Sequence, residues 1–218
     1  MMNFLIIIAF FLGLTPLSHS FFSDDLESIR KSAEQGNAEA QYVLGFRYVC
    51  GIGGVEKDYK EAIKWFAKSA EQGNAMGQYW LGLSYYHGYG VPKDYKEAVK
   101  WFRKSAEQGN PKAQKNLGLC YYHGEGVPKD YKEAVKWYKK SAEQGNGDAQ
   151  FSLGISYFKG EGIARDYVLA YMWFNLSLAE DNKAEAKEIL DALQPIMTRE
   201  QIGKAQQLSR EWLNNRKN

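Results

Sequence analysis

The stretch Ala33-Glu34-Gln35-Gly36-Asn37 returns as Ala70-Glu71-Gln72-Gly73-Asn74, Ala106-Glu107-Gln108-Gly109-Asn110 and Ala142-Glu143-Gln144-Gly145-Asn146, at spacings of 37, 36 and 36 residues. A shared frame repeats around it. Leu81-Gly82, Tyr85-Tyr86-His87-Gly88 and Val91 to Trp101 recur as Leu117-Gly118, Tyr121-Tyr122-His123-Gly124 and Val127 to Trp137. Self-similarity at this period signifies a solenoid, whose units cannot bury their apolar faces alone and stack on their neighbours. Such a chain offers a binding surface rather than a reaction vessel.

Each unit reads as two helices. In the third copy Asn110 is an N-cap and Pro111 the first helical residue, where its missing N–H costs nothing. Ala113, Leu117, Gly118 and Tyr121 then mark one helical face. Gly124 to Pro128 ends that helix, and Asp130-Tyr131-Lys132-Glu133 has the capping-box form that opens the second. Its buried face is Tyr131, Ala134, Val135, Tyr138 and Ala142, and Gly145 closes it. Gly45, Gly82, Gly118 and Gly154 sit inside the first helices, where Gly costs about 1 kcal/mol against Ala. Their recurrence predicts close helix approach, filled by Trp65, Trp101, Trp137 and Trp173 or their neighbours.

The 218 residues are 44% hydrophobic and 25% charged, with a net charge of +2, enough to build a core and too balanced for a nucleic-acid or anionic-membrane target. Met1 to Ser23 holds no Asp, Glu, Lys or Arg. Within it, Phe4 to Leu14 is apolar and Ser18-His19-Ser20 is a small-x-small site, the form of a signal peptide cleaved near Ser20. The run is shorter than the roughly 20 residues of a membrane span. No Lys or Arg precedes it, so an uncleaved anchor is the alternative. Cys50 and Cys120 fall two units apart at non-equivalent places, too far for a disulfide, and are expected as free thiols.

The expected domains are a signal peptide (1–20), an N-terminal half-repeat (21–32), four repeats (33–69, 70–105, 106–141 and 142–177) and C-terminal capping helices (178–218). Pro195 interrupts the last region, and Thr198-Arg199-Glu200-Gln201 is a capping box for a final helix carrying Ile202, Ala205, Leu208 and Trp212.

The order Ala-x-x-x-Leu-Gly-x-x-Tyr-x-x-Gly-x-Gly-Val-x-x-Asp-x-x-x-Ala, then Trp and Ala-x-x-Gly, resembles the Sel-one-like repeat (SLR), a relative of the tetratricopeptide (TPR) repeats. The second copy fits from Gln78 through Gly109, with Gly77 in place of the expected Ala; the third has Ala113. The first copy carries an extra Gly at Gly53-Gly54, and the fourth has Leu169 where its capping box needs Glu. The resemblance implies an all-α, right-handed α/α solenoid of about four SLR/TPR-like helix hairpins between partial caps. It implies an adaptor or scaffold in signalling, protein quality control or bacterium–host contact. A cysteine-rich branch is linked to penicillin binding and weak β-lactam hydrolysis. This chain lacks the paired cysteines of that branch.

Several residues suggest chemistry and are better explained otherwise. Ser28-Ile29-Arg30-Lys31 has the S-x-x-K form, but S-D-N and K-T-G are missing from the sequence. His87 and His123 are equivalent residues roughly 16–20 Å apart on the helix spacing, too far to share a metal, and suit the ends of first helices. Asp94/Glu97 and Asp130/Glu133 are caps, and the Gly-x-Gly loops follow no strand. No catalytic, cofactor or metal site is expected.

The exceptions to the repeat carry the binding expectation. In the family's superfamily the first helices line the concave side, and there the fixed frame alternates with changing residues. These are Tyr42, Tyr79, Lys115 and Phe151; Val43, Trp80, Asn116 and Ser152; and Arg47, Ser84, Cys120 and Ser156. Tyr42, Arg47, Tyr79, Trp80, Ser84, Lys115, Asn116, Phe151 and Ser152 are the candidate partner-binding residues. Tyr79 and Trp80 lead as exposed aromatics, with packing between units as the competing explanation. The expectation is a monomeric, periplasmic or secreted protein that binds a protein or peptide, with no nucleic acid, no cofactor and no membrane span after cleavage. The alternatives are a β-lactam or peptidoglycan hydrolase, and a structural envelope protein without a groove ligand.

Overall fold

The computed structural model describes residues 25–181 and 184–217, and all its regular structure is helical. The leader expected over residues 1–20 lies outside them. The chain divides into two compact units at Lys93/Asp94. In the first, α1 (Leu26–Glu34), α2 (Ala38–Cys50), α3 (Tyr59–Glu71) and α4 (Ala75–His87) each pack on the next helix in sequence, and α2 also reaches α4. In the second, α5 (Tyr95–Glu107), α6 (Pro111–His123), α7 (Tyr131–Glu143), α8 (Gly147–Lys159) and α9 (Tyr167–Asp181) stack in the same serial way. Then α10 (Ala184–Leu193), a 3₁₀ turn (Gln194–Ile196) and α11 (Arg199–Lys217) follow, with both α10 and α11 packed on α9.

Every letter of the repeated pentad has a physical duty. The Ala is buried: Ala33, Ala70, Ala106 and Ala142 are all at most 2% exposed. Their carbonyls accept bonds from the buried amides of Gln41, Gln78, Gln114 and Gln150 at 3.0–3.3 Å. The pentad's own Gln72 and Gln144 donate in turn to the Oε1 of Gln41 and Gln114, at 2.7 and 2.8 Å. Buried polar groups are thereby satisfied in a lattice that links successive helices. The Gly turns left-handed, with φ between 82° and 95° at the four positions. The Asn then caps the next helix: Asn37, Asn74, Asn110 and Asn146 each accept from a first-turn N–H at 2.8–3.1 Å.

Asp58, Asp94, Asp130 and Asp166 cap the second helices, each through Oδ1 at 2.8–3.1 Å to two backbone N–H groups. The Glu of the expected boxes turns outward: Glu61, Glu97 and Glu133 pair with Lys64, Lys100 and Lys136 one turn on. The reciprocal box forms at Thr198 and Gln201, at 3.2 and 2.9 Å.

The close helix approach is real, and its filler is the residue after each Trp. A Cβ on Gly45, Gly118 or Gly154 would meet the rings of Phe66, Tyr138 or Phe174 at 2.6–2.7 Å, inside any tolerable contact. The Trp residues face outward from that seam, and Lys68, Lys104 and Lys140 lie over Trp65, Trp101 and Trp137 at 4.3–4.4 Å. In the fourth copy the Lys is replaced by buried Leu176, and Trp173 instead meets Trp212 of α11 at 6.2 Å. One substitution thus exchanges a solvated cover for a helical one.

Candidate functional site

The nine positions singled out by variation fall into two groups. In the first unit Tyr42 and Arg47 are 2% exposed and Ser84 is 5% exposed, so a partner reaching this unit does not meet them. Burial pushes the Tyr42 hydroxyl pKa upward. Arg47 Nη1 donates to Gly53 O at 3.5 Å, and a Cβ on Gly53 would lie 2.7 Å from that nitrogen. The extra Gly of the first copy therefore gives the loop room to close over Arg47. Ser84 bonds back to the Trp80 carbonyl at 2.9 Å.

Tyr79 and Trp80 are half-buried on α4. The Trp80 ring stacks on Phe66 at 5.7 Å and 16°, and meets Phe46 edge-on at 5.4 Å and Tyr79 at 5.8 Å. The indole thus occupies the furrow between α2 and α4, floored by α3.

In the second unit the same furrow runs between α6 and α8 over α7, and position 152 carries Ser. Its hydroxyl is turned to the Asp148 carbonyl at 2.9 Å. What remains is an open apolar cleft of about 100 Å³, lined by Leu119, Tyr122, His123, Tyr138, Phe151, Ser152 and Ile155. Phe151 forms one wall and tilts onto Phe174 at 5.5 Å. Lys115 pairs with Asp148 at 3.5 Å along the same helices, and Asn116 is half-buried beside it on α6. At the other end the Tyr122 hydroxyl donates to Glu161 at 2.6 Å and accepts from Lys159 at 3.3 Å. Desolvation, then the Glu161 bond, holds its pKa above the ordinary tyrosine value.

Of the expected residues, Phe151 and Ser152 line this cleft. Leu119, Tyr122, His123, Tyr138 and Ile155 were not among the partner-binding candidates, because they belong to the repeated frame or vary conservatively within it. The available signal was a small residue, Ser152, standing where another copy has Trp.

The chemical candidates are placed less suggestively. Ser28 and Lys31 are both exposed on α1, and the cavity beside that helix is lined by Asp25, Leu26, Glu27, Arg30, Lys31 and Glu34, without Ser28. His87 and His123 end α4 and α6. Cys50 is exposed and Cys120 buried, both as free thiols, and burial pushes Cys120 up to about 12. Among the described residues no three His, Cys, Asp or Glu are grouped to hold a metal, and no helix is long and apolar enough to cross a membrane.

The Sel1 repeat pattern matches residues 38–74, 75–110, 111–146 and 147–182, most of the chain. The chain belongs to the Sel1 repeat family. Each Sel1 unit starts at a first helix, five residues after the start of the corresponding pentad, because the pentad closes the preceding unit. Proteins of this family are generally interaction scaffolds, typically without enzymatic activity. The chain is similar to a protective antigen present in uropathogenic Escherichia coli strains displaying an SLR fold. Identity is 43% and the TM-score 0.74, over 78% of this chain and 36% of that one. The chain thus spans about a third of that protein's length. A Sel1 repeat protein from Oxalobacter formigenes is 36% identical with a TM-score of 0.67, covering 78% and 75% of the two chains. An immunity protein from Pseudomonas aeruginosa shares the fold at 22% identity and a TM-score of 0.53, over 93% and 81%. No curated protein matches this chain.

Proposed function

We propose that this Sel1 repeat protein is an exported adaptor that holds a protein or peptide segment on the face formed by its first helices, with the cleft between α6 and α8 as the anchoring position. The observation that carries this reading is the exchange of Trp80 for Ser152. The same furrow is filled from within in one unit and left open in the other, and an apolar recess with a few polar groups around it suits a ligand anchor. Tyr79, Lys115, Asn116 and Phe151 flank the anchor or its counterpart. Tyr42, Arg47 and Ser84 serve the scaffold.

The location we infer is periplasmic or secreted, with residues 1–20 as the leader, 21–32 as a half-repeat and 178–218 as the closing cap. The composition of Met1 to Ser23 supports this, as do the bacterial sources of the similar structures. The exported protein acts as a monomer and uses no cofactor. Exposure of Ser28 and Lys31 removes the desolvated surroundings in which such a Ser–Lys pair would work.

The test is affinity capture from envelope and host extracts with the wild type, Ser152→Trp and an outer-face control, Lys100→Glu. A specific partner retained by the wild type and control but lost at least tenfold by Ser152→Trp supports the reading. Equal retention by Ser152→Trp overturns it.

A further inference from the structure

We infer that the cleft between α6 and α8 is a receptor for one indole ring, a tryptophan side chain that the partner supplies where Trp80 supplies its own in the first unit. This rests on the docking role proposed above and names the group that enters.

The occupant is written in the molecule's other copy. In the first unit the indole of Trp80 lies flat on Phe66 of α3 and makes tilted contacts with Phe46 of α2 and Tyr79 of α4. Each of those three partners has a counterpart in the second unit. In the register of the repeats, Phe66 becomes Tyr138 of α7, Tyr79 becomes Phe151 of α8 and Phe46 becomes Leu119 of α6. All three line the open cleft. Only the central member of the set changes character, since Trp80 has become Ser152. The cleft keeps the bed of an indole and lacks the indole.

The bed favours a ring by its chemistry as well as by its ancestry in the repeat. Aromatic pairs gain energy beyond area burial when their centroids lie 4.5–7 Å apart, stacked or edge to face. The three contacts of Trp80 fall at 5.4–5.8 Å. Tyr138 and Phe151 offer an entering indole two of those three ring contacts, and Leu119 with Ile155 keeps the rest of the wall apolar. Phe151 is already held against Phe174 at 5.5 Å, and the Ser152 hydroxyl is turned away to the Asp148 carbonyl at 2.9 Å. An aliphatic guest would cover the same wall without the ring contacts. Because the cleft opens to solvent, the ring can arrive from another chain.

The experiment titrates the full chain with N-acetyl-tryptophanamide, followed by methyl NMR, with N-acetyl-leucinamide as the comparison. The Trp amide is expected to shift the Leu119 and Ile155 methyls upfield in a saturable way, by the ring current of the indole. It should bind about fivefold more tightly than the Leu amide, the margin that ring contacts add to area burial. Ser152→Trp, which supplies the ring from within, should abolish the shift, and Ser152→Ala should keep it. In Trp80→Ala, free indole should raise the urea midpoint by refilling the vacated bed, a readout that does not depend on Ser152→Trp folding. No saturable shift at Leu119 and Ile155, equal or tighter binding of the Leu amide, or no rise of the Trp80→Ala midpoint overturns the inference. Loss of partner capture in Ser152→Trp alongside any of those results would leave the docking role standing and remove only the indole. Retained capture would remove both.

Discussion

The furrow between α2 and α4 and the furrow between α6 and α8 are built from the same frame and end differently. In the first, Trp80 lies flat on Phe66 and completes the packing. In the second, Ser152 stands at that position above Tyr138, and a cleft of about 100 Å³ is left. A repeat protein can thus spend one large side chain on cohesion in one copy and omit it in another. The lesson is that a residue which breaks the pattern by being large is a packing candidate, and one which breaks it by being small marks a vacancy.

The severest way to break the comparison is to exchange the two residues. Trp80→Ser should cost about 2–3 kcal/mol, less than a fully buried aromatic loses because the indole is only half-buried, read as a lower midpoint in urea unfolding. A cost below about 1 kcal/mol would mean that the indole is not structural. Next in size, Gly118→Val should cost about 1–3 kcal/mol or more by driving a side chain into the Tyr138 floor of the open furrow. If it is neutral, the floor is softer than the contact implies.

Smaller effects sharpen the contrast between the units. Cys50 of the first is exposed and Cys120 of the second is buried with its pKa pushed up to about 12. A maleimide at pH 8 should therefore label one thiol promptly and the other only at the rate of unfolding. The raised thiol also sets a sign: an unfolded thiol releases its proton near 9, so stability falls as pH rises from about 9 to 12. Cys120→Ala should flatten that part of the profile, and an unchanged slope would assign it to other groups.

The smallest effect concerns the cap. Glu180 stands 36 residues after Gln144, where the lattice wants a donor, and Gln150 Oε1 is buried without a partner. Glu180→Gln should restore that bond for about 1 kcal/mol, less the modest loss of the exposed Glu180–Arg216 pair. A net destabilisation would contradict the donor account.

The helices and caps were legible because they depend on local chemistry. Asn110, Gly145 and Asp130 act through the backbone within one turn, and their sequence spacing encodes the outcome. The core seam was legible to within one residue: the internal Gly announced a close ring, but Phe66 and Tyr138, next to the Trp, supply it. The binding face was harder. Variation located Ser152 and Phe151, yet it also raised Tyr42, Arg47 and Ser84, which are buried. Variation at a position does not tell whether a side chain turns to a partner or to its own scaffold. Arg47 shows the difficulty, since its cover is a loop lengthened by Gly53.

The most direct test of the central claim is to fill the open furrow as the other one is filled, by comparing partner capture by the wild type and by Ser152→Trp. The account predicts that capture falls at least tenfold in Ser152→Trp while the fold is kept. Equal capture by the two proteins would contradict it.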